Sequence, residues 1–498
     1  MMPTLAEIQN FSGKYPKQLY LLFFTEMWER FTFYGMRALL VLFMTSQLHF
    51  DDIKSNMLYG VYQSLIYAMP VIGGLMADRY LGFQRSIIFG AVLMAIGSFV
   101  LAIPNTTTYF FGMSVIVVGN GYFKPNISSI VGNLYKEGDS RRDAGFSLFY
   151  MGINVGAMLG GLICGYVGQE INWHAGFGLA GIFMLVGLVT FLKGRKNLGP
   201  VGLAPNETFL KEKILPIITK EQLIYIASIV TIPLFVWILF NYNFYSYLIN
   251  AFGVLSLVYV LYLAVKEGKA VLQLIMAALV LIIFSALFWA FYEQGGGSLN
   301  LFTDRHVNLN FFGVQLSSAA LNNGIAGAMI VLLSPIFAWL WLWLSKKNIE
   351  PNAAIKFALA LLQLGLGFYC FILGAAYVNE AGRIPLLFFV LAYFFMCTGE
   401  LCISPIGLSV ITKLSPPKMV GLMMGVWFLA SSYGQYLAGW IGSLMAIPTN
   451  EGDIKISPAA SLAIYNTTFL QIAIISVCSG VLLLLLSPFL KKMMQGKA

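Results

Sequence analysis

Residues 19–46 read LYLLFFTEMWERFTFYGMRALLVLFMTS. The stretch is long and apolar enough to cross a bilayer as a helix, which takes about 20 residues. Yet its middle carries Glu26, Glu29, Arg30 and Arg37. Helical spacing gathers these charges: Glu26, Arg30 and Tyr34 follow at i, i+4 and i+8, and Glu29, Phe33 and Arg37 form the adjoining strip. A charge near the bilayer centre costs roughly 2.5–3.5 kcal/mol on insertion scales, so four facing lipid alone would cost about 10 kcal/mol. They must face partners or a wet cavity, and that makes the stretch a functional signal.

The rest of the chain agrees with a membrane solvent. Of 498 residues, 59% are hydrophobic and 10% charged, with a mean hydropathy of +0.79, whereas soluble domains carry about 25% charged residues. Apolar runs recur from residue 19 to residue 490, so the fold class is an all-α polytopic membrane protein. Fourteen spans are expected, near 19–46, 55–78, 84–104, 108–135, 143–169, 175–193, 222–241, 246–266, 270–295, 322–345, 352–376, 385–414, 418–446 and 462–490. The polar first 18 residues lack a short apolar core with a cleavage site, so the first span itself is expected to insert the protein. The five cysteines (Cys164, Cys370, Cys397, Cys402, Cys478) fall inside apolar spans without metal-ligand spacing and read as packing residues.

A net charge of +9 would suit nucleic acid only if its location were ignored. Twenty-two of the 30 Lys and Arg residues, including Arg79, Arg85, the cluster from Lys193 to Lys220, and Lys497, fall in alternate loops and tails on one side. Lys54, Arg305, Arg383 and Lys455 fall on the other. The positive-inside rule then puts both termini in the cytoplasm, requires an even number of spans, and assigns the basic surface to lipid and no nucleic acid. It also keeps 222–241 and 246–266 as a hairpin.

Four carboxylates (Glu26, Glu29, Glu293, Glu400) and three bases (Arg30, Arg37, Lys124) lie deep in apolar sequence. Lys356, one turn into a span, is expected to reach water. Such near-neutrality is what mutual pairing requires, since an unpaired buried carboxylate takes up a proton. Lys124 sits between Gly121 and Pro125 in GNGYFKPNISSIVGNLY (119–135), where the helix can distort. In FSLFYMGINVGAMLGG (146–161) Asn154 is flanked by Gly152 and Gly156, a pattern that suits either helix packing or a cavity wall. Trp289 and Glu293 share a helical face in SALFWAFYEQGGGSLNLF (285–302), whose triple glycine ends or unwinds the helix. Glu400, mid-span in AYFFMCTGELCISPIGLSVITKL (392–414), is too deep for solvated surface. In PVIGGLMADRYLGFQRS (70–86), Asp78 and Arg79 close one helix while Gly82 and Arg85 open the next, a carboxylate with basic neighbours that can latch helix ends. SPIFAWLWLWLSKKN (334–348) has a similarly placed proline and terminal bases, so Pro70 and Pro335 hint at two related halves.

Together these pieces resemble the proton-dependent oligopeptide transporter family, a branch of the major facilitator superfamily. The family's first-helix signature E-x-x-E-R-F-x-Y-Y reads EMWERFTFY here: Glu26, Glu29, Arg30, Phe31 and Tyr34 match, and Phe33 replaces the first tyrosine. GGLMADRYLGFQR, GNGYFKPN, FYMGINVG, FWAFYEQ and GELCIS follow in the family's order, so the resemblance covers essentially the whole chain. Residues 70–86 also resemble the superfamily's loop signature G-x-x-x-D-R-x-x-G-x-R.

The resemblance implies a major facilitator fold: a six-helix bundle over 1–193, a cytoplasmic linker and extra transmembrane hairpin over 194–269, and a second six-helix bundle over 270–498. It implies a non-enzymatic, monomeric symporter in the bacterial inner membrane, driven by protons without a cofactor, which imports dipeptides and tripeptides by alternating access. Its proton-coupling cluster falls on Glu26, Glu29, Arg30 and Lys124, with Glu293 as a carboxylate that also pairs the first-helix arginine. Its peptide-binding positions fall on Arg37, Tyr34, Tyr67, Asn154, Trp289 and Glu400, and its gating loop on Asp78, Arg79 and Arg85. Two departures stand out. Phe33 removes a hydroxyl, and Ala326 stands where the family's eighth span carries an asparagine, with Asn322 and Asn323 about one turn earlier.

Elementary chemistry supports these roles. A zwitterionic peptide needs separated charges of opposite sign: Arg37 and Lys124 can hold its carboxylate, and Glu400, from the other half, its ammonium. Tyr67, Trp289 and Trp427 would bound side-chain pockets. A carrier of another small solute (amino acid, anion or metabolite) is the alternative, though Arg37 together with Glu400 favours a zwitterion. His49, His174 and His306 form no HExxH pattern, so no metal site and no intramembrane metalloenzyme is expected.

Overall fold

The apolar runs become helices because in hydrocarbon every backbone N–H and C=O must find a partner inside its own segment. The computed structural model describes residues 3–139, 141–447 and 456–494; Lys455 and Lys497 of the charge balance lie outside them. After a capped turn, α1 (Leu5–Gln9), come α2 (Lys17–Ser46), α3 (Asp52–Met76), α4 (Phe83–Leu101), α5 (Thr106–Asn133), α6 (Arg141–Tyr166) and α7 (Trp173–Gly194). A linker with α8 (Glu207–Lys211) and a small hairpin of β1 (Lys213–Leu215) and β2 (Ile218–Thr219) leads to α9 (Lys220–Val230), α10 (Ile232–Phe240) and α11 (Tyr242–Glu267). Then follow α12 (Lys269–Tyr292), α13 (Ser298–His306), the short strands β3 (Asn310–Phe311) and β4 (Val314–Gln315), α14 (Ser318–Lys346), α15 (Ala353–Gly374), α16 (Leu386–Leu414), α17 (Val420–Ser443) and α18 (Pro458–Met493).

Sequence sets the ends. Asn105, Asn172, Asn352 and Ser457 cap α5, α7, α15 and α18 with side-chain oxygens, and Thr219 with Gln222 forms a capping box on α9. Pro233 near the start of α10 separates it from α9, because proline lacks the N–H that would continue the ladder. The triple glycine after Gln294 behaves as anticipated: α12 stops, Glu293–Gly296 forms a tight 3₁₀ turn, and α13 resumes.

Among the described residues, eleven helical segments are long and apolar enough to cross a membrane. Helices α2, α5 and α17 occupy expected spans but fall outside that set. Their sequences explain why: α2 carries the charge cluster, α5 carries Lys124 with two asparagines in its middle, and α17 is rich in glycine and serine.

By contact, the chain forms two compact units. The first comprises Met1–Phe43, Leu65–Asn241 and Ala319–Gly327; the second comprises Met44–Ser64, Tyr242–Ser318 and Ala328–Ala498. This partition follows packing, whereas the expected division at 193 and 269 follows helix bookkeeping. The expected hairpin is divided at its turn, between Asn241 and Tyr242. In the first unit, α4 packs on α5 and α7 around Met94, Phe123, Ile127, Met184 and Phe191. In the second, α15 packs on α16 and α18. Its core is aromatic: the Phe302 ring lies 5.0 Å from Phe469 and 5.4 Å from Phe371.

Lys356 corrects an expectation. Rather than reaching water it is buried, ion-paired with Glu350, and its ammonium lies 4.5 Å from the Trp341 ring centre.

Candidate functional site

In the first unit the charges of α2 find one another. Arg30 Nε lies 3.1 Å from Glu26 Oε1. The same guanidinium forks onto Glu29, with Nη2 donating to Oε1 at 2.7 Å and Nε donating to Oε2. Asn120 of α5 adds a long bond to Glu29 Oε1 at 3.4 Å. All three charged side chains are almost fully buried. The two carboxylates are not equivalent. Both oxygens of Glu29 are engaged, whereas Glu26 Oε2 has no hydrogen-bond partner among the described residues. The Lys124 ammonium acts electrostatically on both carboxylates and lies 4.1 Å from the Tyr67 ring centre.

This cluster can be buried because α6 brings no bulk against it. A Cβ on Gly156 would run into the Met27 carbonyl and come within 3.0 Å of Arg30 Cβ. Gly160, one turn on, meets the Phe31 backbone in the same way. Of the glycines in MGINVGAMLGG, Gly156 and Gly160 therefore form a backbone-to-backbone contact surface for α2. Asn154, between Gly152 and Gly156, is buried, and its amide donates to the Tyr150 carbonyl of its own helix at 3.0 Å. Arg37, also buried, lies with its guanidinium 5.5 Å from the Tyr34 ring centre, and Arg30 lies 5.3 Å from that of Phe33. The aromatic face kept by Phe33 thus still serves a cation, although the hydroxyl is gone.

In the second unit, Glu293 is buried where α12 gives way to the 3₁₀ turn. Glu400 is buried on α16 and has the Tyr292 hydroxyl as a hydrogen-bond partner. Tyr292 stacks on Phe288 at 5.6 Å and meets Trp289 edge-on at 5.5 Å. One aromatic wall thus joins Trp289 to the carboxylate of Glu400. Asn322 and Asn323, which belong to the first unit, are both buried near the start of α14, and Asn323 donates to the Ala319 carbonyl at 3.1 Å.

The loop over residues 70–86 closes differently from the reading that centred on Asp78. Asp78 and Arg79 are exposed on a five-residue π turn, Ala77–Leu81. Arg85 instead forks onto Glu207 of the linker, at 2.7 and 2.9 Å, and reaches Glu221 of α9 at 3.1 Å. Tyr80 stacks on Phe209 with ring centres 5.6 Å apart. The Arg85 fork holds the Glu207 carboxyl below its ordinary 4.5. A depressed carboxyl stabilises the fold above its unfolded value, and that contribution is lost as pH falls through the lowered one. Because Arg85 and Glu207 are 28% and 43% exposed, the pair is worth at most about 1 kcal/mol. Glu207→Gln is therefore expected to lower the melting temperature slightly at pH 7, and the difference from the parent should vanish in the same scan once acid has protonated Glu207.

Sequence reading passed over four partners: Asn120, Tyr292, and the linker acids Glu207 and Glu221. Asn120 lies four residues before Lys124 and Tyr292 adjoins Glu293, so helical spacing could have nominated both. Glu207 is 122 residues from Arg85, and no local pattern announces it.

A many-spanning helical protein with a buried Glu–Arg–Glu cluster, a lysine beside it and a second buried carboxylate on an aromatic wall is a membrane carrier in its class. The sequence pattern that defines the POT family matches residues 84–460. The chain belongs to that family. It is 36% identical to the Bacillus subtilis (strain 168) uncharacterized transporter YclF, over 97% of this chain and 96% of that one. It is 34% identical to the peptide transporter YePEPT of Yersinia enterocolitica subsp. palearctica, over 96% and 95%. Among solved structures, a mutant peptide transporter POT in complex with alafosfalin superposes with a TM-score of 0.83 at 34% identity, covering 98% of each chain. A POT family transporter in complex with 5-aminolevulinic acid gives 0.81 at 31% identity, covering 98% of this chain and 100% of that one.

Proposed function

We propose that this chain is a proton-coupled symporter that imports dipeptides and tripeptides by alternating access across a bacterial inner membrane, with both termini in the cytoplasm and one chain as the working unit. The observation that carries the reading is the buried trio Glu26, Arg30 and Glu29, two carboxylates sharing one guanidinium. Full ionisation of the trio leaves one negative charge that Lys124 must balance, and Glu26 Oε2 is the oxygen with room for a proton when Lys124 turns away. In this arrangement Glu29 takes the ionic contact and Glu26 carries the proton. When Arg30 and Lys124 turn to other partners during the cycle, Glu29 loses its counter-charge in a dry site and is protonated in turn. Re-forming the fork expels that proton. Glu293 supplies a second carboxylate for an arginine, which the family resemblance assigns to Arg37.

Substrate chemistry divides in the same way. Arg37 and Lys124 bind a peptide carboxylate, Arg37 as a planar two-pronged donor. Glu400, beside the Tyr292 hydroxyl, binds the ammonium, and Trp289, Tyr67 and Tyr34 present aromatic faces to the rest of the ligand. The relatives described as peptide transporters support a peptide over another small solute. A ligand that binds only the folded state raises its melting temperature. Di-alanine and tri-alanine should raise it, while free alanine and nitrate at equal concentration should not. A rise with alanine or nitrate and none with the peptides would replace the peptide reading with that of a carrier for another small solute.

A further inference from the structure

Helix α11, the second arm of the inserted hairpin, gives little to protein packing. Of its 26 residues only Tyr245, Ile249, Val260 and Ala264 are buried, and large side chains such as Phe252, Leu255 and Tyr262 are exposed. Tyr245 is the one buried residue of the four that carries a polar group. Its ring lies 6.0 Å from that of Tyr436 on α17, and its hydroxyl is 2.8 Å from Ser64 Oγ on α3. Ser64 Oγ donates to the Ser432 carbonyl at 2.7 Å, and Ser432 Oγ donates to the Ser64 carbonyl at 2.8 Å. With both serine protons spent on carbonyls, Ser64 Oγ is left to accept, and Tyr245 is its donor.

Those serines belong to a seam where α3 and α17 touch almost backbone to backbone. A Cβ on Gly60 would lie 2.6 Å from Gly439 Cα, and one on Gly442 would lie 2.6 Å from Asn56 Oδ1. Beyond the seam, Arg305 forks onto Asp52 at 2.6 and 2.8 Å. Small residues and hydroxyls make contact without interlocking, so such a surface can part and re-form without unpacking a core. A comparable seam inside the first unit sets Gly161 against Asn323 and Gly165 against Ala320. The hairpin's first arm is anchored independently within the first unit. Ser228 of α9 lies 2.6 Å from the Tyr122 hydroxyl, and the Phe240 ring of α10 lies 4.3 Å from that of Phe110.

We infer that Tyr245 is a positioning residue of the transport cycle: through its hydroxyl, the second arm of the hairpin holds the α3–α17 seam shut. The inserted hairpin thereby sets how often that end of the carrier opens. The inference rests on the alternating-access reading for its role, but its physical content is a conformational balance that can be read without substrate.

The test uses the full chain in lipid nanodiscs with Cys478→Ser and spin labels on Ile53→Cys and Leu444→Cys, exposed positions at the outer ends of the two seam helices. In Tyr245→Phe the longer label separation should grow about fivefold relative to the shorter, the effect of one lost hydrogen bond. The apparent KM for external peptide should fall by up to the same factor, since less of the protein is held in the form that cannot load. Tyr247→Phe, exposed on the same helix, should change neither. An unchanged distance distribution in Tyr245→Phe, an equal change in Tyr247→Phe, or a lower melting temperature without any change in distances would each overturn the gate role. A distance shift in a protein that moves no peptide would keep the gate and overturn the substrate assignment instead.

Discussion

Glu29→Gln should leave the protein folded yet lower gradient-driven peptide accumulation in liposomes about a hundredfold, while peptide counterflow without a gradient survives. The argument is one of counter-charges. Glu29 is completely buried and takes both prongs of Arg30. Glutamine keeps the shape and one acceptor but gives up the charge. Arg30 then has Glu26 as its remaining carboxylate partner in α2, so Glu26 is held ionised in the closed fork and the proton exchange assigned to Glu29 is lost. Exchange of peptide for peptide needs no proton movement and should persist. Undiminished accumulation by Glu29→Gln would remove the trio from the coupling mechanism.

Glu400→Gln should raise the KM for di-alanine by roughly 10- to 100-fold, the loss of a hydrogen-bonded charge pair worth about 1.5–3 kcal/mol. Glu400 is buried, with the Tyr292 hydroxyl beside it. The amide is nearly isosteric, so the effect isolates charge. N-acetyl di-alanine has no ammonium, so its weaker uptake should be the same in parent and variant. Equal losses for both substrates would mean that Glu400 supports the fold or the proton path rather than the amino terminus.

Much of this could be read before any coordinate was known. The charge cluster of α2, the break at the triple glycine and the depth of Glu400 follow from the cost of polar groups in hydrocarbon, a penalty large enough to show in a single sequence. What stayed hidden has a common cause. Lipid and protein interior are both apolar, so a spanning helix lacks the two-faced pattern that tells a soluble helix which side is buried. The burial of Tyr245 on a mostly exposed helix was therefore invisible, as was the α3–α17 seam within the second unit, to which residues 44–64 belong. The glycines of α6 were legible as packing surface, but not as the surface that receives Arg30. Arg85 was legible as a latch, but its partner Glu207 lies in a polar linker, where charges are ordinary and carry no signal.

The central claim, that a buried proton site drives peptide uptake, is met most directly by one measurement. The purified full chain is placed in liposomes with an imposed inward proton gradient, and labelled di-alanine uptake is followed with tri-alanine, free alanine or nitrate as competitors. The account predicts accumulation above equilibrium that collapses when the gradient is dissipated, and competition by tri-alanine alone. Accumulation indifferent to the gradient, or competition by alanine or nitrate but not by tri-alanine, would contradict it.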